Sequence, residues 1–153
     1  MATVYLGLGT NIGDRRTNIT TAVALLSERA GTILALSGLY ETEPWGFVSE
    51  NPFLNAALIL ETPLSPLELL DTAQQIEKEM GRTRESDGRY HDRLIDLDLL
   101  MYDDMVIETP ALTLPHPLMH QRIFVLAPLA EIAPAATHPL LGKTIGELYG
   151  SIS

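Results

Sequence analysis

The sequence predicts an α+β fold, a ferredoxin-like sandwich: an antiparallel sheet with helices on one face and active-site loops on the other. Three observations point there. Apolar runs and helical stripes follow the order strand, helix, strand, strand, helix, strand, which is the split βαβ pattern. Turn and breaker residues punctuate the runs: Asn11 and Gly13 after the first, Pro52 before the third and Pro63 after it. Two segments carry long stripes at helical spacing, and the pattern puts both long helices on one face, leaving the other to the loops at 43–52 and 82–93.

The elements justify themselves in turn. Thr3 to Gly9 reads as a buried strand, and Thr10-Asn-Ile-Gly-Asp14 as turn chemistry before a helix. Ile19, Ala22, Val23, Leu26 and Ala30 recur at helical spacing, with Gly31 as the stop. Thr32 to Tyr40 predicts a second strand and Phe53 to Glu61 a third, joined by an irregular connection containing Pro44, Gly46 and Pro52. Ser65-Pro-Leu-Glu68 is a helix start: Ser at the cap, Pro at the first helical position, Glu three after the cap. Leu69, Leu70, Ala73, Ile76 and Met80 form that helix's stripe, and Gly81 ends it. The segment 82–93 reads as an exposed loop, followed by the apolar strand Leu94 to Met101. Beyond it the pattern suggests a short edge strand at Val106-Ile107, an irregular Pro115-His116-Pro117, a helix over Phe124 to Ile132 broken by or starting near Pro128, and a last amphipathic turn or two over Lys143 to Tyr149.

Composition narrows the function. The 153 residues suit one domain, 1–153, with a substantial core. A formal charge of −10 argues against general binding to nucleic acid or an anionic membrane. No run approaches a membrane span and no signal segment opens the chain. Cys is absent, which excludes disulfides and thiolate metal sites; the expected location is cytoplasmic.

The chemistry concentrates around Asp96 and Asp98. They are separated by one residue in an apolar run, so on a strand both carboxylates project from one face, roughly 6–7 Å apart along the backbone. Two like charges on a largely apolar strand need an offset, and a divalent cation supplies one. Arg82, Arg84, Arg89 and Arg93 precede them, the densest basic stretch of an acidic chain. Guanidinium is suited to bidentate phosphate contact and to charge that grows during phosphoryl transfer. Hard carboxylate oxygens beside a phosphate fit Mg²⁺, with other positions left to water and phosphate. The residues alone leave two plainer readings open, a surface alternation of Asp and Leu and a solvated basic loop.

Other candidates are weaker one by one. Phe53 and Asn55 share a strand face, and with Trp45 they offer an aromatic plane and an amide edge suited to a flat heterocycle. A plain core role for the aromatics stands beside that reading. Gln74 and Glu77 lie a turn apart on the second helix. His116 and Arg122 follow the acidic strand closely enough to reach its end. Gly7-Leu-Gly9-Thr-Asn-Ile-Gly13 lacks dinucleotide spacing and reads as a tight turn with close backbone approach.

Taken together, these motifs resemble the 6-hydroxymethyl-7,8-dihydropterin pyrophosphokinase family of folate biosynthesis. The resemblance spans nearly the whole chain: Gly9-Thr-Asn-Ile-Gly13, Tyr40-Glu-Thr-Glu-Pro-Trp-Gly46, Phe53-Leu-Asn-Ala-Ala57, Gly81-Arg-Thr-Arg84, Arg93-Leu-Ile-Asp-Leu-Asp-Leu-Leu100, Leu114-Pro-His-Pro117 with Arg122, and Pro128-Leu-Ala-Glu-Ile-Ala-Pro134. It implies transfer of the terminal diphosphate of ATP to the pterin hydroxymethyl group, with release of AMP. It implies two Mg²⁺ ions on Asp96 and Asp98, and catalytic roles for Arg82 and Arg93. ATP would meet Gln74, Glu77, Arg84, Leu99, Thr113, His116 and Arg122. The pterin would meet Thr42, Pro44, Trp45, Phe53, Asn55, Tyr90 and Phe124. The implied partners are these two small molecules alone, and the implied state is a monomer. The chain departs from patterns seen in some members at Glu43, Phe53, Tyr90 and Pro117. Rival readings are another two-metal transferase acting on a different alcohol, and a ferredoxin-like ligand sensor.

Overall fold

The computed structural model describes residues 1–42, 52–81 and 94–153. In chain order these form β1 (Ala2–Thr10), α1 (Arg15–Arg29), β2 (Thr32–Leu36), β3 (Tyr40–Thr42), β4 (Phe53–Thr62), α2 (Pro66–Gly81), β5 (Asp96–Tyr102), β6 (Ile107–Glu108), β7 (Thr113–Leu114), a 3₁₀ turn (Met119–Gln121), α3 (Ile123–Ile132) and α4 (Ile145–Ile152). The main sheet runs β2-β4-β1-β5, every pairing antiparallel, and β3 extends the β2 side by pairing with β4. This is the expected split βαβ order, with the first and third strands of the pattern adjacent at the centre.

Alternation decides the two faces. Val4, Leu6 and Leu8 of β1, Leu54, Ala56, Leu58 and Leu60 of β4, and Leu97 and Leu99 of β5 pack with Ile19, Ala22 and Leu26 of α1 and Leu69, Ala73 and Ile76 of α2. Each large side chain buried here contributes about 2 kcal/mol, far more than an exposed ion pair. Thus the ion pair of Arg29 with Glu79, between the two helices, is a minor addition. Both long helices begin with side-chain caps. Asp14 accepts from Thr17 N–H at 3.1 Å, and Ser65 and Glu68 form the expected reciprocal box. Gly31 is required after α1, because a Cβ there would lie 2.0 Å from the Glu61 carbonyl oxygen.

The opposite face is divided. Ala57, Leu100 and Met101 pack with Met119, Val125, Leu126, Leu129, Ala133, Ile145 and Leu148, so α3 and α4 cover one end of it. These are helices the strand-and-stripe pattern placed in sequence but not on a face. A register shift between Tyr5 and Leu6 lets consecutive Leu100 and Met101 both turn to this side, as a bulge does.

Three details differ from the sequence expectation. The strand over 32–40 is interrupted, since Ser37 takes part in the ladder with its side chain. Its N–H donates to Ala57 O at 2.9 Å while its hydroxyl accepts from Ala57 N–H at 2.9 Å. Gly38 N–H instead donates to the Glu131 carboxylate of α3. The strand expected at Val106-Ile107 lies at Ile107–Glu108 and pairs with β7 as a separate ribbon. Pro128 neither breaks nor starts α3. It sits inside the helix and removes only the amide that would donate to Phe124. No helix among the described residues is long and apolar enough to cross a membrane.

Candidate functional site

The end of the second face that α3 and α4 leave free, among the described residues, is floored by glycine. On β1, Gly9 pairs with Asn55 of β4 on one side and Asp96 of β5 on the other. Gly7 likewise stands between Ala57 and Asp98. Paired residues share a face, so Asn55 and Asp96 flank a strip without side chains, about 9.5 Å apart across two strand spacings. The period-two argument is therefore met: Asp96 and Asp98 project together, while Leu97 and Leu99 go to the helix side.

One cluster lies on the β4 side. Asn55 is buried, and its side-chain amide donates to Thr42 Oγ1 at 2.7 Å and to Tyr40 O at 3.4 Å. That fixes its carbonyl oxygen over the floor, where it and Phe53 are the nearest neighbours of a Cβ built on Gly9. The arrangement can read a flat ligand's donor edge with Asn55 Oδ1 while Phe53 supplies apolar surface. Phe124, at the start of α3, holds the Arg122 guanidinium over its ring at 5.7 Å.

The other cluster lies along the β5 edge. Leu97 N–H, on the outer side of this edge strand, donates to Glu77 Oε2 of α2 at 2.7 Å. This draws Glu77 beside Asp96 and Asp98. Burial first, and then the charges of the two aspartates against a bond that favours ionisation, push the Glu77 carboxyl up to about 8. His116 reaches the same edge because its N–H donates to Leu100 O at 2.9 Å. Its Nδ1 accepts from Leu118 N–H at 3.3 Å, leaving Nε2 as the donor in the neutral ring. Burial, with the Arg122 charge acting the same way, holds the imidazole below its ordinary pKa, and Asp96 opposes them. Asp96 is thus the meeting point of Glu77 on one side and His116 with Arg122 on the other.

The donor set fits a hard divalent cation. The negative charge that raises Glu77 is what such an ion would offset, and both aspartates offer oxygen only. Among the described residues no group of three or more His, Cys, Asp or Glu forms a cage. A cation held by Asp96 and Asp98 would leave positions open to oxygens of water and a phosphate.

The remaining expected residues fall as follows. Gln74 is exposed on α2. Leu99 gives its side chain to the helix-side core, so only its main chain is left for a nucleotide. Thr113 is half-buried in β7 opposite Glu108. Pro44, Trp45, Arg82, Arg84, Tyr90 and Arg93 lie outside the described residues, as do most of the two loops expected to border the site. Sequence reasoning missed Arg15, the first residue of α1. It donates to Glu41 Oε2 at 2.8 Å and to Pro52 O at 3.0 Å. No spacing signals a contact between such distant positions. The close backbone approach read for Gly7 and Gly9 corresponds to this floor, whose position between Asn55 and Asp96 only the register gives.

Comparison with known proteins bears on this geometry. Residues 5–134 match the family described as 7,8-dihydro-6-hydroxymethylpterin-pyrophosphokinase (HPPK). The 2-amino-4-hydroxy-6-hydroxymethyldihydropteridine pyrophosphokinase of Porphyromonas gingivalis is 50% identical over 136 residues, covering 88% of this chain and 92% of its own. That of Bacillus subtilis is 51% identical over 129 residues, covering 84% of this chain and 76% of its own. Among solved structures, wild-type Plasmodium falciparum HPPK-DHPS with pterin and p-hydroxybenzoate superposes with a TM-score of 0.79 at 21% identity. It covers 98% of this chain and 43% of that longer one, a likeness of fold.

Proposed function

From the premise that the chain belongs to the 7,8-dihydro-6-hydroxymethylpterin-pyrophosphokinase family, we propose a division of labour across the glycine strip. The activity is that of a 2-amino-4-hydroxy-6-hydroxymethyldihydropteridine pyrophosphokinase, an ATP-dependent diphosphotransferase of folate biosynthesis. It moves the β,γ-diphosphate of ATP to the hydroxymethyl group of the dihydropterin and gives AMP. The observation that carries the division is the register Asn55–Gly9–Asp96.

The pterin belongs on the β4 side. Thr42 orients Asn55 so that its carbonyl accepts from the ring's amide edge, and Phe53 and Phe124 bracket the ring with Pro44, Trp45 and Tyr90. ATP belongs on the β5 side, its phosphates above Asp96 and Asp98, which would hold two Mg²⁺ ions. Bound there, magnesium neutralises the polyphosphate and lowers the pKa of the attacking hydroxyl. His116 donates through Nε2, and Arg122 offers its guanidinium, to phosphate oxygens. Glu77, bonded to the β5 main chain, fixes the edge on which ATP lies, with Gln74, Arg84, Leu99 and Thr113 completing the nucleotide's surroundings. Arg82 and Arg93 meet charge developing on the transferred group. The reaction proceeds in one domain, 1–153, acting as a cytoplasmic monomer.

The test is an AMP-release assay with ATP, Mg²⁺ and 6-hydroxymethyl-7,8-dihydropterin. AMP and pterin diphosphate in equal amounts are the expected products. ADP or pyrophosphate instead would assign a different transfer, and ligand binding unchanged by chelation would favour a sensor.

A further inference from the structure

We propose that Arg15 is a positioning residue for the pterin pocket. The inference rests on the assignment of Thr42, Phe53 and Asn55 to that pocket. Thr42 and Phe53 form the last pair of the β3/β4 ladder, and β3 has only three residues. So short a strand is held weakly by its own ladder. Arg15 joins the two strands at this point. One guanidinium nitrogen donates to Glu41, the neighbour of Thr42, and another to the carbonyl of Pro52, the neighbour of Phe53. A planar fork with fixed donors sets the spacing of the two acceptors, which a flexible ammonium does not.

Arg15 and Glu41 keep 30% and 56% of their side chains exposed, and an ion pair so exposed adds little to stability. Its consequence is geometric. Asn55 is aimed by the Thr42 hydroxyl at 2.7 Å, so a shift of β3 relative to β4 re-aims the amide that reads the pterin. Among the described residues, the hydrogen bonds of Arg15 go to Glu41 and Pro52, which flank the β3/β4 end of the sheet, whereas Asp96 and Asp98 lie on β5.

The experiment measures the dissociation constants of the pterin and of a non-hydrolysable ATP analogue, with Mg²⁺, and the melting temperature, for Arg15→Ala, Arg15→Lys, Glu41→Gln and Asn55→Ala. Arg15→Ala is expected to weaken pterin binding about tenfold, the order expected when site groups lose their alignment. Nucleotide affinity and melting temperature should hold. Arg15→Lys and Glu41→Gln, which each keep part of the contact, should fall between; if Arg15→Ala fails to fold, these two decide. Unchanged pterin affinity in the Arg15 and Glu41 variants, with a loss in Asn55→Ala, overturns the positioning role and leaves the pocket standing. Equal losses for pterin and nucleotide with a lower melting temperature also overturn it, since that is a folding defect. Unchanged pterin affinity in Asn55→Ala removes the pocket assignment, and the positioning role with it.

Discussion

Asn55 and Asp96 stand opposite each other across Gly9, one strand to either side, with their side chains on the same face of the sheet. Backbone register thereby sets where the Asn55 amide and the Asp96 carboxylate leave the sheet. Their main-chain separation, two strand spacings, is a property of the sheet, so under the proposed assignment the sheet also spaces the two substrates.

A side chain on the strip should therefore act on binding before it acts on folding. A Cβ on Gly9 would lie 3.2 Å from Asn55 Oδ1 and 3.4 Å from Phe53, whereas the nearest neighbour of one on Gly7 is the Leu100 side chain, at 3.6 Å. Gly9→Ala is expected to weaken pterin affinity about tenfold, and Gly7→Ala to change it far less. Titration calorimetry on the two variants checks this. Equal losses would mean that the pterin does not lie over Gly9.

Asp96→Ala or Asp98→Ala should abolish turnover while circular dichroism remains that of the folded parent, because both side chains are only half-buried. Chelating Mg²⁺ from the parent enzyme should have the same effect. Rates near the parent's in either variant would reject the assignment. Arg82→Ala should slow single-turnover chemistry much more than it weakens the nucleotide.

Glu77 links the site to pH. Its carboxyl is raised to about 8 in the folded chain, against an ordinary value of 4.5. Between these values the folded state holds a proton that the unfolded state has released, so this group's contribution falls as pH rises and is lost by about pH 8. Glu77→Gln keeps an acceptor for Leu97 N–H and removes the titration. Urea denaturation of the magnesium-free protein across this window should show a flatter profile for the variant, and a more stable variant at the alkaline end. A Gln variant that follows the parent's slope would show that another group is responsible.

Glu131 ties α3 to the interrupted strand by accepting from Gly38 N–H at 3.1 Å and from the Tyr40 hydroxyl at 2.5 Å. That hydroxyl bond is the main cause of a raised Tyr40 pKa. Glu131→Ala should destabilise the fold by about 1–3 kcal/mol and return Tyr40 toward ordinary titration. Thermal melting and ultraviolet titration of the phenols test the two effects together. A lower melting point without a change at Tyr40 would break the link.

Most of this architecture was legible because it rests on periodicity. The two long stripes, the Ser65–Glu68 box and the Asp96/Asp98 alternation are local patterns, and each appears where the pattern put it. What escaped depends on partners far away in the chain. Ser37 substitutes its hydroxyl for a backbone group against Ala57, twenty residues on, and nothing around it announces a break. Pro128 looks like a helix breaker until its neighbours Leu126 and Leu129 are seen buried against the sheet's second face. The same holds for the site. The paired aspartates, Asn55 and Phe53 declared themselves by spacing, but Arg15 meets Glu41 and Pro52 only once α1 has folded back on the sheet.

The division of the second sheet face separates chemistry from solubility. Leu100, Met101 and Ala57 are covered from the C-terminal side, by Leu126, Leu129 and Leu148 among others, and α3 and α4 leave the glycine strip beside them to the proposed site. A protein cut short before α3 would keep the β1–α2 half of its packing and both aspartates, yet present a greasy sheet surface next to its reaction centre. Its first failure would be clumping with its own copies, well before any loss of the groups that carry out the transfer.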